Sequence, residues 1–249
     1  MSPDNRQHRG AHPEDRRLFA PGNIAALRVA VGELSWLLGR GYATKSALKL
    51  VGDRHNLNER QRLAVARAAC SDEQRDARAA ACLDPERARG RAVVVDGFNL
   101  MITTEAALGG GVLVRGRDGC VRDLSSVHGS YRSVAETERA VRLLGEAFAA
   151  LGLGPARWLL DRPVSNSGRL AERIRETARE RGWPWTVEAV FNPDAEIRAS
   201  AELSRIKVIL TTAAPMAIPK DAPRYDRLLV KPFSVDDLRG AIAQVLAQP

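Results

Sequence analysis

Long apolar runs are missing from this chain of 249 residues: none approaches the ~20 residues that a membrane-spanning helix needs. The opening stretch, "MSPDNRQHRGAHPEDRR", lacks the apolar segment of a secretion signal and reads as a polar, disordered tail over residues 1–22. Both absences point to a cytoplasmic protein with no membrane partner. Cysteine is scarce, and Cys70, Cys82 and Cys120 show no C-x-x-C spacing and cannot all pair with one another, which suits a reducing compartment. The glycine-rich "GGGVLVRG" does not match G-x-x-x-x-G-K-[ST], so a P-loop is unsupported. No internal repeat is visible.

What is present is charge and alternation. Lys and Arg number 38 against 30 Asp and Glu, a formal +8 that favours polyanionic partners without specifying a fold. Apolar residues recur at helical spacing over Ile24–Leu38, and the "GRGY" at Gly39–Tyr42 ends that helix. Thr44 suits the cap of a second helix and Asn58 the cap of a third. Residues 23–88 therefore read as a helical domain. Lys45, Lys49, Arg54, Arg60, Arg62 and Arg67 leave two readings open there, a helix-turn-helix touching phosphates or a solvated helical face. "SDEQRDARAAACLDPERARG" is either one more helix leading to Pro85 or a hinge.

The texture changes at Arg91. "AVVVD" is a short, β-branched, continuously apolar run, as a strand covered on both faces requires. "ARWLLD", "WTVEAVFNPD", "KVILTT" and "RLLVKPF" supply further strands, with helical patterns between them. Such alternation predicts an α/β fold with a mostly parallel, Rossmann-like sheet wrapped by helices. "GGGVLVRGRDGCVRD" predicts a hairpin turning at Asp118-Gly119.

In a parallel sheet the carboxyl ends share one edge, where open α/β folds place their sites. Asp96, Asp161 and Asp194 each close a candidate strand run and are expected on that rim. Carboxylates crowded within ~4–6 Å repel unless a cation neutralises them, and Mg²⁺ or Mn²⁺ suits such oxygen ligands. Taken singly, an Asp at a strand end is more often a helix cap or turn residue than a ligand; three in succession shift the balance towards a site. Asn99 either bonds Asp96 or a scissile phosphate, or ties the loop; Gly97 allows a tight turn. Arg115, Arg117, Arg122 and Arg132 are placed to grip phosphates, and Ser125, Ser126 and His128 to order a loop. In "DRPVSNSGRL", Ser165, Asn166 or Ser167 suits the cap of a helix whose first amides favour an anion.

"VVVDGFNLMITTEAALGGGVLVRGRDGCVRDLSSVHGSYR", "WLLDRPVSNSGRL" and "WPWTVEAVFNPD", with "LSWLLGRGYATKSALKLVGDRHNLNERQRLAVARAACSD", resemble the prokaryotic domain of unknown function 434 family over about residues 24 to 197. The second half of that family is similar to PIN-like and NYN-like nuclease domains, in which a D-G-x-N sequence ends the first strand and acidic residues bind metal. The resemblance implies a PIN-like α/β domain over residues 91–200 with Asp96, Asp161 and Asp194 as ligands of Mg²⁺ or Mn²⁺. It places Asn99 beside Asp96, with Glu105, Glu136 and Glu138 as further candidates. The implied function is a metal-dependent nuclease acting on RNA, with Arg115, Arg117, Arg169, Ser165 and Asn166 on the nucleic acid. The alternative is a non-catalytic nucleic-acid- or nucleotide-binding protein of the same fold. Over residues 201–249 the pattern departs: "VILTTAAP" and "YDRLLVKPFSVDDLRGAIAQVL" resemble the last third of a response-regulator receiver domain, with Thr211 or Thr212 and Lys231 at the matching places.

Overall fold

In the computed structural model the chain is described over residues 7–82, 85–125 and 129–199, with the backbone of 207–209 and 228–229. Helices α1 (Asp15–Leu18), α2 (Pro21–Gly39), α3 (Thr44–Arg54), α4 (Glu59–Ala68), α5 (Asp72–Ala81) and α6 (Pro85–Ala88) precede strand β1 (Val93–Asp96). There follow α7 (Gly97–Leu108), β2 (Leu113–Arg115), β3 (Val121–Asp123), α8 (Thr137–Ala150), β4 (Ala156–Asp161), α9 (Ser167–Arg181), β5 (Trp185–Val190) and α10 (Pro193–Ala199). The backbones of β6 (Lys207–Ile209) and β7 (Leu228–Leu229) complete the order. Among the described residues, no helix is long and apolar enough to cross a membrane.

Local chemistry sets most of these boundaries. Proline stands in the first turn of α2, where its missing N–H costs nothing, and Gly41 beyond its end takes φ +79. Asn58 and Ser71 each close a capping box, with Gln61 and Gln74 answering from the third helical position. "SDEQ" therefore opens a true helix, α5, which resolves the choice between helix and hinge. Thr44 does not cap α3: the cap position falls on Ala43, without a side-chain bond. Leu27, Ala30, Leu34 and Leu37 of α2 bury against Ala47, Val51 and Val65, giving the helical region its own core.

Strands β5, β4 and β1 form a parallel sheet in that order, and β6 and β7 extend it beyond β1. Chain order runs outward from β1 through β4 to β5, then returns to the other side of β1. The winding thus reverses at β1, the doubly wound arrangement whose crevice opens at the carboxyl end of the reversing strand. Val93, Val95, Trp158 and Leu160 pack with Met101, Leu170 and Ile174 in the main core. Each such side chain contributes on the order of 1.5–3 kcal/mol by leaving water. The hairpin β2–β3 stands apart from this sheet, pairing Leu113 with Asp123 and turning with Gly119 at φ +77.

Residues 7–22 depart from the expected disordered tail. Arg9 is buried, donating from Nε to Glu105 Oε2 at 2.6 Å and from a terminal nitrogen to the Arg132 carbonyl at 2.9 Å. Asp15 is buried as well and holds the Arg60 guanidinium. A polar segment with no apolar pattern is here fixed by two ion pairs to partners distant in sequence.

A candidate acidic site at the sheet edge

Asp96 ends β1 and also caps α7. Its Oδ1 accepts the Asn99 backbone N–H at 3.2 Å and its Oδ2 accepts the Asn99 side-chain amide at 2.6 Å. The cap reading and the rim reading thus meet in one residue, and Asn99 is bonded to Asp96. Gly97 is required by close approach rather than by a turn, since a Cβ there would meet Leu160 Cδ2 at 2.6 Å and the Leu159 carbonyl oxygen at 3.0 Å. Only glycine lets α7 start this near to β4.

Strand register decides where the acids stand. Asp96 is level with Leu159 on β4, and Asp161 lies two residues further along the same strand. Because side chains alternate, Asp96, Leu159 and Asp161 point to the same face, with Asp161 displaced roughly 6–7 Å outward. That step explains why Asp96 is only 4% exposed while Asp161 is half-buried at the rim. Asp194 is not at a strand end, which corrects the sequence reading: β5 stops at Val190 and Asp194 sits in the first turn of α10. Asn192 Oδ1 receives the Ala195 N–H at 3.0 Å, so "NPD" starts a helix with an Asn cap and Pro in its first turn. α10 lies against β1 and β4 and buries Ile197, which brings Asp194 back to the other two acids.

The three carboxylates share one field. Burial pushes the Asp96 carboxyl up to about 7; the Asn99 bonds pull it down, and the charges of Asp194 and Asp161 raise it further. Asp161 is raised too, first by burial and then by Asp194. Among the described residues, however, no three His, Cys, Asp or Glu side chains form a group ready to hold a metal ion. Beyond burial, Asp96 and Asp161 are both raised by the charge of Asp194. Carboxylate oxygens are the donors a hard cation takes, and a site with one or two protein carboxylates suits Mg²⁺, which keeps several waters.

The other candidates separate. Glu105 is fully buried away from the rim, accepting from Arg9, from the Tyr131 hydroxyl at 2.5 Å and from Thr137 at 2.6 Å. It organises the core and is not available to an ion. Glu136 receives His8 and Glu138 pairs with Arg142. Arg117 donates to the Cys70 carbonyl at 2.9 Å and to Asp72 at 2.7 Å, internal partners for a side chain expected on phosphate. Arg122 is likewise spent on Asp118, which also receives Arg78. Arg115 and Arg169 are exposed. Ser165 bridges to Ser130 through the backbone. Asn166, at the start of α9, takes φ 68 and donates to the Tyr131 carbonyl at 2.8 Å; α9 has no side-chain cap. Ser126, His128, Thr211, Thr212 and Lys231 lie outside the described residues. In the helical region Arg60 holds Asp15, and Arg62 holds the Leu57 and Lys49 carbonyls and Asp53. The basic face of α4 is thus largely internal structure, which removes its support for a helix-turn-helix.

Fold and rim together define a doubly wound α/β protein with acidic residues at its switch point and a capped helical region before it. Within that class, the chain belongs to the domain of unknown function DUF5616 family, whose model matches residues 85–216. A second model, the protein of unknown function DUF434 family, matches residues 26–80. The resemblance read as one family across both halves therefore resolves into two, meeting near α6. The chain is similar to an uncharacterized protein of Methanocaldococcus jannaschii, 29% identical over 200 residues covering 80% of this chain and 92% of that protein. No solved structure matches.

Proposed function

We propose that this protein is a metal-dependent nuclease, of PIN-like type, acting on RNA. The observation that supports it is Asp96: a carboxylate buried where the winding of the sheet reverses, on the same face as Asp161 and within the field of Asp194. Burying an acid among other acids is costly, and a cation is the economical way to offset it. Asp96 and Asp161 are the residues to hold Mg²⁺ or Mn²⁺, with Asp194 beside them. Such an ion, when bound, activates water and stabilises charge at a phosphodiester. The chain's own contributions are positional. Asn99 fixes both oxygens of Asp96, and Gly97 lets β1 and α7 meet at that point. Arg115 and Arg169 are the exposed cations for the nucleic-acid backbone, in a chain of net charge +8.

Burial that keeps the Asp96 carboxyl protonated up to about 7 needs no ion, and it supports a second reading, a nucleic-acid- or nucleotide-binding protein that does not cleave. Labelled single-stranded and hairpin RNAs incubated with Mg²⁺ or Mn²⁺ separate the two. The nuclease reading expects cleavage that EDTA abolishes and that Asp96→Asn lowers by about 100-fold or more. Binding without metal-stimulated cleavage favours the second reading. Cleavage that survives Asp96→Asn contradicts the site.

A further inference from the structure

Phe191 is the most exposed large apolar residue among those described, at 72%. One exposed aromatic is ordinary on a protein surface; its position here is not. It follows β5 directly, lies three residues before Asp194, and has the Arg162 guanidinium 5.0 Å from its ring centroid. Arg162 in turn follows Asp161, and its backbone N–H donates to the Val190 carbonyl at 2.6 Å, tying the ends of β4 and β5 together. On the other side Asn192 caps α10. Phe191 therefore stands between a strand end and a capped helix, flanked in sequence by acids of the candidate site, and its partner cation makes no ion pair among the described residues. An exposed ring with a cation over it offers a face on which a base can stack, and an aromatic side chain has only two torsions to fix on binding.

We propose that Phe191 and Arg162 form a stacking subsite for an unpaired base of a single-stranded nucleic acid, Arg162 taking the adjacent phosphate. This deepens the proposed function and rests on its nucleic-acid reading, though not on cleavage. Base–aromatic stacking needs a base face that a duplex keeps covered, so the subsite selects single strands; every base has such a face, so it does so with little sequence preference. The acid rim next to it would then receive the phosphodiester beside the stacked base.

The test uses the full chain carrying Asp96→Asn, which on the nuclease reading slows cleavage enough for binding to be measured, in Mg²⁺ buffer. Fluorescence anisotropy compares a single-stranded RNA containing 2-aminopurine with a duplex of the same sequence. The parent is expected to favour the single strand and to quench the 2-aminopurine. Adding Phe191→Ala should weaken single-strand binding about tenfold and abolish the quenching, with duplex binding unchanged. Phe191→Trp should restore both, and Arg162→Ala should flatten the salt dependence of binding by about one phosphate contact. Unchanged single-strand affinity in Phe191→Ala, or equal losses for both forms, overturns the subsite while leaving the nuclease reading standing. If the wild type fails to cleave but Phe191 still governs single-strand binding, the nuclease reading falls and the subsite holds. If neither the wild type nor the parent binds either form, both fall.

Discussion

Asp96 carries a burden that its neighbours explain. An unfolded aspartate gives up its proton near pH 4, whereas the folded carboxyl keeps it up to about 7, chiefly because it is buried. Between those values the folded chain binds the additional proton. The stabilisation linked to this group is therefore fully present below about pH 4 and is lost as pH rises through 7. Asparagine cannot ionise. In metal-free buffer Asp96→Asn is expected to match the wild type near pH 4 and to exceed it by on the order of 2–4 kcal/mol at pH 8. Denaturant unfolding at the two pH values measures this, and a difference independent of pH contradicts the buried-charge account. Glu105 makes the opposite case: also fully buried, it is satisfied by Arg9, Tyr131 and Thr137 and needs no ion. Sequence could not separate these two acids, because Glu105's partners lie 26 to 96 residues away and follow no local pattern.

Elements were legible where the chain writes its own boundaries. β1, β4 and β5 fall on the apolar runs that end at "VVVD", "RWLLD" and "VEAV", and α2, α4, α8 and α9 on helical periodicity. Caps divide more finely. Asn58 accepts the Gln61 N–H at 3.0 Å, while Thr44 has slipped inside its helix and leaves the cap position to Ala43. Asn58→Ala should cost about 0.5–2 kcal/mol and Thr44→Ala only a few tenths, read from thermal or denaturant midpoints. Equal costs would show that periodicity, and not capping, fixes these starts. The placement of Asp194 was missed at this scale although its signal was present: Asn followed by Pro opens a helix, and the acid two places on belongs to α10 and not to β5. The partners of the hairpin arginines are not legible in the sequence for another reason. Arg117 and Arg122 are spent on Cys70, Asp72 and Asp118, and only tertiary packing determines which cations remain exposed.

Over the whole molecule, two layers of dependence meet at β1. The segment around Arg9 crosses from the chain start to α7, so the buried ion pair with Glu105 couples residues 7–22 to the helix that Asp96 caps. The reversal of strand order at β1 then sets Asp96 in the crevice, with Asp161 and Asp194 brought in by register and by α10. If these acids exist to be neutralised by a cation, binding must displace the proton that Asp96 retains near neutrality. Calorimetric titration of Mn²⁺ into the metal-free protein at pH 6.5, in buffers of differing ionisation enthalpy, measures affinity and proton release together. The account predicts saturable binding with release of a proton, both lost in Asp96→Asn. Absence of binding, or binding unchanged by that substitution and without proton release, would contradict it.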